Sequence, residues 1–155
     1  MPTMPLLAEL DALPARWEVQ ATVAAPVAAV AGLLFAVTEG RVGHDNLLVL
    51  ARASAARQGA MTVVGAAGRY RAELAGPLEP VDIQVDGCKL AVQSWYAGVH
   101  TATACPEGTL VTHRVRRVLP DHPGFAAGIA ELGLRARMAR DLRRVLEVVA
   151  DRLGC

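Results

Sequence analysis

The stretch TVAAPVAAVAGLLFAV, from Thr22 to Val37, contains no charged residue and includes Pro26. A helix that spans a bilayer needs about 20 consecutive apolar residues, commonly with aromatic or basic residues at its ends. This run is shorter, is rich in alanine and is interrupted by a proline. We therefore interpret it as the junction between two elements of a globular domain, and we expect no transmembrane segment.

The residues before this junction predict a strand. From position 16 to position 23 polar and apolar residues alternate strictly. Such alternation places every second side chain on the same face of a half-buried strand. The residues predicted on the apolar face are Trp17, Val19, Ala21 and Val23.

The residues after the junction predict a helix. Pro26 suits the first turn of a helix because that turn does not use the missing backbone N–H. Apolar residues then recur at helical spacing, and the pattern continues until Gly40. The sequence therefore predicts a strand, an Ala-Ala-Pro corner and a short helix in this order.

Turn residues then follow at short intervals and predict an antiparallel meander. Residues 40–45 predict a loop, and residues 47–51 fit a strand and a helix equally. Turns are predicted at Asp86-Gly87, at Ala97-Gly98 and within Pro106-Glu107-Gly108. The predicted strands are 60–65, 68–75, 81–86, 88–96, 99–105 and 109–119.

After Pro123 the apolar residues change to intervals of three and four, which predicts one long amphipathic helix that continues to Leu153. Gly133 is a candidate irregularity within it. The opposite face of this helix is basic and offers an alternative contact surface for an anionic membrane, an RNA or a protein partner. Its arginines are Arg135, Arg137, Arg140, Arg143 and Arg144.

Composition limits the function. The 16 basic and 15 acidic residues give a net charge of +1, so no DNA partner is expected. Three cysteines without a close pair predict no disulfide framework and favour a cytoplasmic location. The four histidines lack metal-ligand spacing, and no phosphate-binding or dinucleotide motif is present. We therefore expect neither a metal nor another cofactor.

Three motifs resemble the START-like (SRPBCC) superfamily, and within it the polyketide cyclase/dehydrase and lipid-transport group. They are WEVQATVAAPVAAVAGLL at the first strand and helix, PEGTLVTHRVRRV at the last turn and strand, and RDLRRVLEVVADRL in the final helix. The resemblance spans nearly the whole chain and implies a single domain over residues 1–155. It implies an α+β helix-grip fold, in which a curved antiparallel sheet of about six or seven strands surrounds the long C-terminal helix, with short helices after the first strand. Such folds enclose a cavity for apolar molecules.

Two histidines are the candidate catalytic residues. Alternation puts His113 on the predicted inward face of the last strand. If Glu107-Gly108 forms a two-residue turn, Ala102 pairs with His113, and His100 lies diagonal to His113 at roughly 7 Å. A histidine side chain could exchange a proton with a bound phenol or carbonyl. The alternative is that each histidine is an ordinary structural or surface residue, and a one-residue bulge would turn His100 outward.

Five further residues are predicted to contact a ligand. The sequence leaves open whether Trp95 or Tyr96 faces the cavity, since the strand pattern favours Tyr96 and a tight turn at positions 97 and 98 favours Trp95. For Trp95 and Tyr96 core packing is an equally reasonable interpretation, and for Tyr70 packing in the core or at its rim is the simpler one. The predicted contact residues are Tyr70, Ile83, Trp95, Tyr96 and Val111.

Two functions agree with these features. In the first, the protein binds a hydrophobic, aromatic or polyketide-like small molecule and catalyses its cyclisation or dehydration. In the second, it is a non-catalytic carrier of a lipid or quinone, or a module that binds a macromolecular partner. The sequence does not separate them, because cavities of both kinds use the same residue types.

Overall fold

The computed structural model describes residues 5–42, 46, 61–74, 80–94, 96–118 and 124–155. Within these ranges the chain forms three helices and eight strands. The helices are α1 (Leu6–Asp11), α2 (Val27–Leu34) and α3 (Gly124–Leu153). The strands are β1 (Trp17–Val23), β2 (Gly40–Arg41), β3 (Met61–Ala66), β4 (Arg69–Leu74), β5 (Val81–Asp86), β6 (Lys89–Gln93), β7 (Tyr96–Cys105) and β8 (Gly108–Val118).

The eight strands form one antiparallel sheet with the order β1-β8-β7-β6-β5-β4-β3-β2. Strands β2 to β8 follow one another as a meander, and β1 joins at the opposite edge beside β8. This sheet with its C-terminal helix confirms the predicted α+β, helix-grip-like fold class. The described sheet has eight strands where the sequence predicted six or seven. One addition is β2, whose Gly40 and Arg41 pair with β3 in a stretch predicted to be a loop.

The junction between β1 and α2 has the predicted order of elements. Pro26 has an extended backbone, and α2 begins directly after it at Val27. The helix ends at Leu34, so the prediction that it continues toward Gly40 was wrong. After the helix, the backbone N–H of Thr38 donates to Oδ1 of Asn46 at 2.9 Å. The side chain of Asn46 therefore holds the backbone at Thr38, where no helical hydrogen bond is made.

The main core lies on the face of the sheet that packs against α3, which we call the inner face. Helix α3 is continuous through Gly133 over 30 residues, or about 45 Å. Its arginines make it too polar to cross a bilayer, and no other described helix is long and apolar enough to do so. The described α3 residues buried in this core are Leu134, Met138, Leu142, Val145, Leu146 and Val149.

A second, smaller core lies on the opposite face of the sheet, the outer face. Helix α1 covers this face, and its Leu7 and Leu10 are buried against Ala91, Ala97 and Val99 of β6 and β7. The sequence interpretation missed α1, because one and a half turns of helix are too short to show a clear period. Full burial of a leucine side chain contributes about 1.5–3 kcal/mol, so this short helix adds to the stability of the sheet.

The connection between β6 and β7 differs from the prediction. Strand β6 ends at Gln93 and β7 begins at Tyr96, whereas the predicted turn was at Ala97-Gly98. Gln93 and Ala97 are paired across the two strands, and the backbone N–H of Ser94 donates to the carbonyl of Tyr96 at 2.9 Å. Ala97 and Gly98 instead mark a shift in the register between β7 and β8. The glycine was misread as a turn residue when it lies inside a strand.

Candidate functional site

The candidate site lies on the inner face, where β7 and β8 pair. Alternation along β8 turns Val111, His113 and Val115 toward the core, and all three are buried. On β7, His100 and Ala102 face the same side, and they are buried as well. Both candidate catalytic histidines therefore lie on the inner face.

His100 and His113 are direct cross-strand neighbours. Their imidazole rings are stacked, with ring centroids 3.8 Å apart and ring planes 18° apart. Each residue is only 4% exposed. In the same row across the sheet, Leu90 of β6 is opposite His100, and Val19 of β1 is opposite His113. The histidine pair is therefore a polar unit between two aliphatic side chains.

The pairing corrects the predicted register. Cys105 pairs with Gly108, so the two-residue turn is Pro106-Glu107 and not Glu107-Gly108, and Ala102 pairs with Val111. The two histidines consequently face each other directly instead of diagonally. Gly108 was assigned to the turn because glycine is common there. A Cβ at this position would meet the carbonyl oxygen of Val23 at 2.5 Å, and its φ is +129°, so a glycine is needed at the start of the strand.

Gly98 gives space to the ring of His113. A Cβ at position 98 would lie 2.7 Å from Nε2 of His113 and 2.9 Å from the carbonyl oxygen of Arg114. Real side chains do not approach so closely, so any larger residue at this position would displace the imidazole. A glycine inside a strand often marks such a close approach. That signal was present in the sequence, but it was interpreted as a turn.

The other predicted contact residues lie at different distances from the histidine pair. Val111 is two residues from His113 on the same strand, and Ile83 lies two strands away from β7. Tyr96 is buried, and it begins β7 about 13 Å along the strand from His100. Tyr70 is half-buried and opposite Ile83, three strands from β7 or about 14 Å. Trp95 lies outside the described residues.

The stacked arrangement determines the chemistry that the pair can perform. Two imidazolium ions at 3.8 Å would repel each other by about 4 kcal/mol at an effective dielectric constant of about 20. The geometry thus favours states in which at least one ring is neutral. A neutral imidazole has one nitrogen that donates and one that accepts, and imidazolium donates from both. The pair can therefore both give a proton to and take a proton from one adjacent group.

A metal centre is not indicated by the described part of the chain. No group of three or more His, Cys, Asp or Glu side chains there is arranged to hold a metal ion. The three cysteines are free thiols: Cys88 and Cys155 are exposed, and Cys105 is partly exposed. The stacked pair alone supplies two nitrogen-containing rings, fewer than the three protein ligands of a typical catalytic zinc site.

Comparison with known proteins supports the fold. No family model matches the sequence, and no curated protein matches it significantly. Among solved structures, the chain is similar to the crystal structure of TTHA0849 from Thermus thermophilus. The TM-score is 0.51, the alignment covers 88% of this chain and 96% of that chain, and 18% of the residues are identical. At this identity the likeness concerns the fold alone, and it agrees with a helix-grip-like α+β architecture.

Proposed function

We propose that the protein binds an apolar small molecule against the inner face of its sheet, and that His100 and His113 contact a hydroxyl or carbonyl group of that molecule. The observation that carries this proposal is the stacked histidine pair at 4% exposure. Buried imidazole rings must keep polar partners, a requirement that aliphatic residues of similar size would not have. Leu90 and Val19 flank the pair in the same row of the sheet, so aliphatic side chains are accommodated there.

The surroundings of the pair support an apolar ligand. Ala102 and Val111 lie next to the histidines on the same face, and Ile83 and Val92 continue this apolar surface across β5 and β6. Small and aliphatic side chains around a few polar groups are typical of ligand pockets. The ligand class that fits is an aromatic or polyketide-like molecule with an oxygen substituent.

The catalytic form of the proposal is cyclisation or dehydration. One neutral imidazole would accept a proton from carbon or hydroxyl, and the partner ring would donate a proton to an enolate or to a departing hydroxyl group. Fixing a flexible chain of carbonyl groups in one folded conformation would supply much of the rate enhancement. The reaction consumes no oxidant or reductant.

The proposal is tested with two probes that differ only in one hydroxyl group, naphthalene and 2-naphthol. We expect 2-naphthol to bind about fivefold more tightly, because one hydrogen bond contributes about 1 kcal/mol. This preference should disappear in the double variant His100→Leu/His113→Leu, which should still bind naphthalene. Equilibrium dialysis measures both affinities.

The matched control is Thr112→Val, because Thr112 is adjacent to His113 but on the outer face of β8. This variant should keep the preference for 2-naphthol. The proposal is wrong if neither probe binds, or if the double histidine variant keeps the same preference.

The carrier function is separated from catalysis by native mass spectrometry. An apolar compound that co-purifies is released by denaturation, identified and returned to the protein. A carrier returns the compound unchanged after long incubation, whereas an enzyme converts it into a new species. If the double histidine variant converts the compound at the same rate, the histidines are not the catalytic residues.

A further inference from the structure

The outer face of the sheet has a pocket that the proposed function does not use. It has a volume of about 290 Å³ and lies between the C-terminal end of α1 and strands β6, β7 and β8. Val99 contributes an apolar side chain to its lining, and Thr101 adds a hydroxyl group. The histidine pair lies on the opposite side of the same strands, so the two sites are separated by the thickness of the sheet.

The charged groups of this pocket are unbalanced. Three cationic side chains line it, from Lys89, Arg114 and Arg116, against the single carboxylate of Asp11. The carboxylate of Glu18 neutralises part of this charge through Arg114 but is not part of the lining. Among the lining groups the cations are therefore in excess, which favours an anionic ligand.

The cationic groups are held in place by neighbours at the edges of the pocket. Lys89 Nζ lies 2.9 Å from Oδ2 of Asp11, and Arg114 Nε donates to Oε2 of Glu18 at 2.9 Å. Arg116 donates from Nη1 to the carbonyl oxygen of Leu13 at 2.8 Å. Each of these hydrogen bonds uses one donor of a group that has three or five. Each group therefore has further donors that could bind an anionic acceptor.

Arg116 provides a second indication. Within the part of the chain that the structure describes, its Nε is buried and has no hydrogen-bond acceptor. A buried donor without an acceptor is unfavourable, and Arg116 is also one of the residues that line the pocket. Arginine is also the side chain whose planar fork best matches the oxygens of phosphate.

A neighbouring pocket shows that this charge is not general for the outer face. It lies at the N-terminal end of α1, has a volume of about 460 Å³ and is lined by Arg69 and Arg71 together with Glu9 and Asp82. Its cations and carboxylates are equal in number, and Arg71 is paired with Asp82 at 3.0 Å. The two pockets thus differ in charge although both border α1.

We propose that the pocket of Lys89, Arg114 and Arg116 binds a phosphate group, either as free inorganic phosphate or as part of a small phosphorylated molecule. Arg114 and Arg116 bind the phosphate oxygens, Lys89 adds a point charge, and the Thr101 hydroxyl donates one further hydrogen bond. The volume is at the lower end of the range for small-molecule sites, so the ligand is a phosphate with a short organic group at most.

Calorimetric titration with inorganic phosphate and with glycerol 3-phosphate tests the proposal at low ionic strength. We expect saturable binding of at least one probe and an affinity about tenfold lower or more in Arg114→Gln. Tighter binding of glycerol 3-phosphate would identify a phosphorylated molecule as the ligand, and equal or tighter binding of inorganic phosphate would identify the free ion.

Two variants keep the test independent of folding. Thr101→Val preserves the shape and all charges and should weaken binding severalfold. Arg71→Gln removes an arginine that is likewise ion-paired on the outer face but belongs to the neutral pocket, and it should bind phosphate like the unmodified protein. The proposal is overturned if neither probe binds, or if Arg71→Gln and Arg114→Gln weaken binding equally.

Discussion

The two faces of β7 are both buried at adjacent positions, Val99 and His100, but are built from different residues there. On the outer face, Val99 is 1% exposed and packs beneath Leu10 of α1. On the inner face, the next residue along the strand, His100, is 4% exposed and stacks on His113. Burial alone therefore does not distinguish a packing position from a candidate site. The residue type does, because a buried imidazole ring must keep polar partners that an aliphatic side chain does not need.

The largest loss of stability is expected when the centre of the outer core is removed. Leu10→Ala should lower the free energy of unfolding by about 2–5 kcal/mol, because Leu10 is fully buried and the cavity cannot collapse completely. Chemical denaturation measures the change. Leu6→Ala on the same helix is the control, and its effect should be smaller because Leu6 is only partly buried. A loss below about 1 kcal/mol for Leu10→Ala would mean that α1 does not stabilise the sheet.

A smaller effect is expected at Gly98, where the ring of His113 lies directly against the backbone. Gly98→Ala should cost about 1–3 kcal/mol, because the new methyl group overlaps Nε2 of His113 and a backbone carbonyl. The NMR signals of the His113 ring should shift at the same time.

Gly133→Ala is the control for this glycine. Nothing lies within 4 Å of a Cβ at position 133, and the residue is within α3, so alanine there should stabilise the protein by about 0.5–1 kcal/mol. If both alanine variants stabilise the protein, Gly98 is not required for the position of the imidazole.

The smallest change in stability is expected from the histidines themselves. His100→Leu/His113→Leu should leave the free energy of unfolding within about 1 kcal/mol of the original value or raise it, since apolar replacements of buried polar pairs are often neutral. Thermal and chemical denaturation measure this. A loss of more than about 2 kcal/mol would show that the pair is structural. Burial of the two histidines would then no longer support a role in ligand binding.

Most of the fold could be predicted from alternation and from one proline. The polar and apolar periods of β1, β4 and β5 and the long period of α3 each specify one element, and Pro26 places the start of α2. Helix α1 could not be predicted, because its two buried leucines contact β6 and β7, which are about 80 to 90 residues away in the chain. Only the folded sheet gives those leucines an apolar surface.

The candidate site was predicted in its residues but not in its geometry. His100 and His113 were selected because alternation turns both inward, which needs only local information. Their register depends on Gly98 and Gly108, and each of these glycines is required by an atom from a distant part of the chain: the ring of His113 and the carbonyl of Val23. A glycine that permits a close approach and a glycine that permits a turn are identical in the sequence, so the contact decides between them.

The position of β1 beside β8 has a consequence for how the protein is made. Each residue of β1 pairs with a residue about 90 positions later in the chain. At a synthesis rate of about 5–20 residues per second, β1 leaves the ribosome about 5–20 seconds before its partner strand exists. During that interval the apolar face of Trp17 and Val19 has no sheet to join. Strands β3 to β7 can pair as each emerges, whereas the first strand made can join the sheet only after the last strand, β8, has been made.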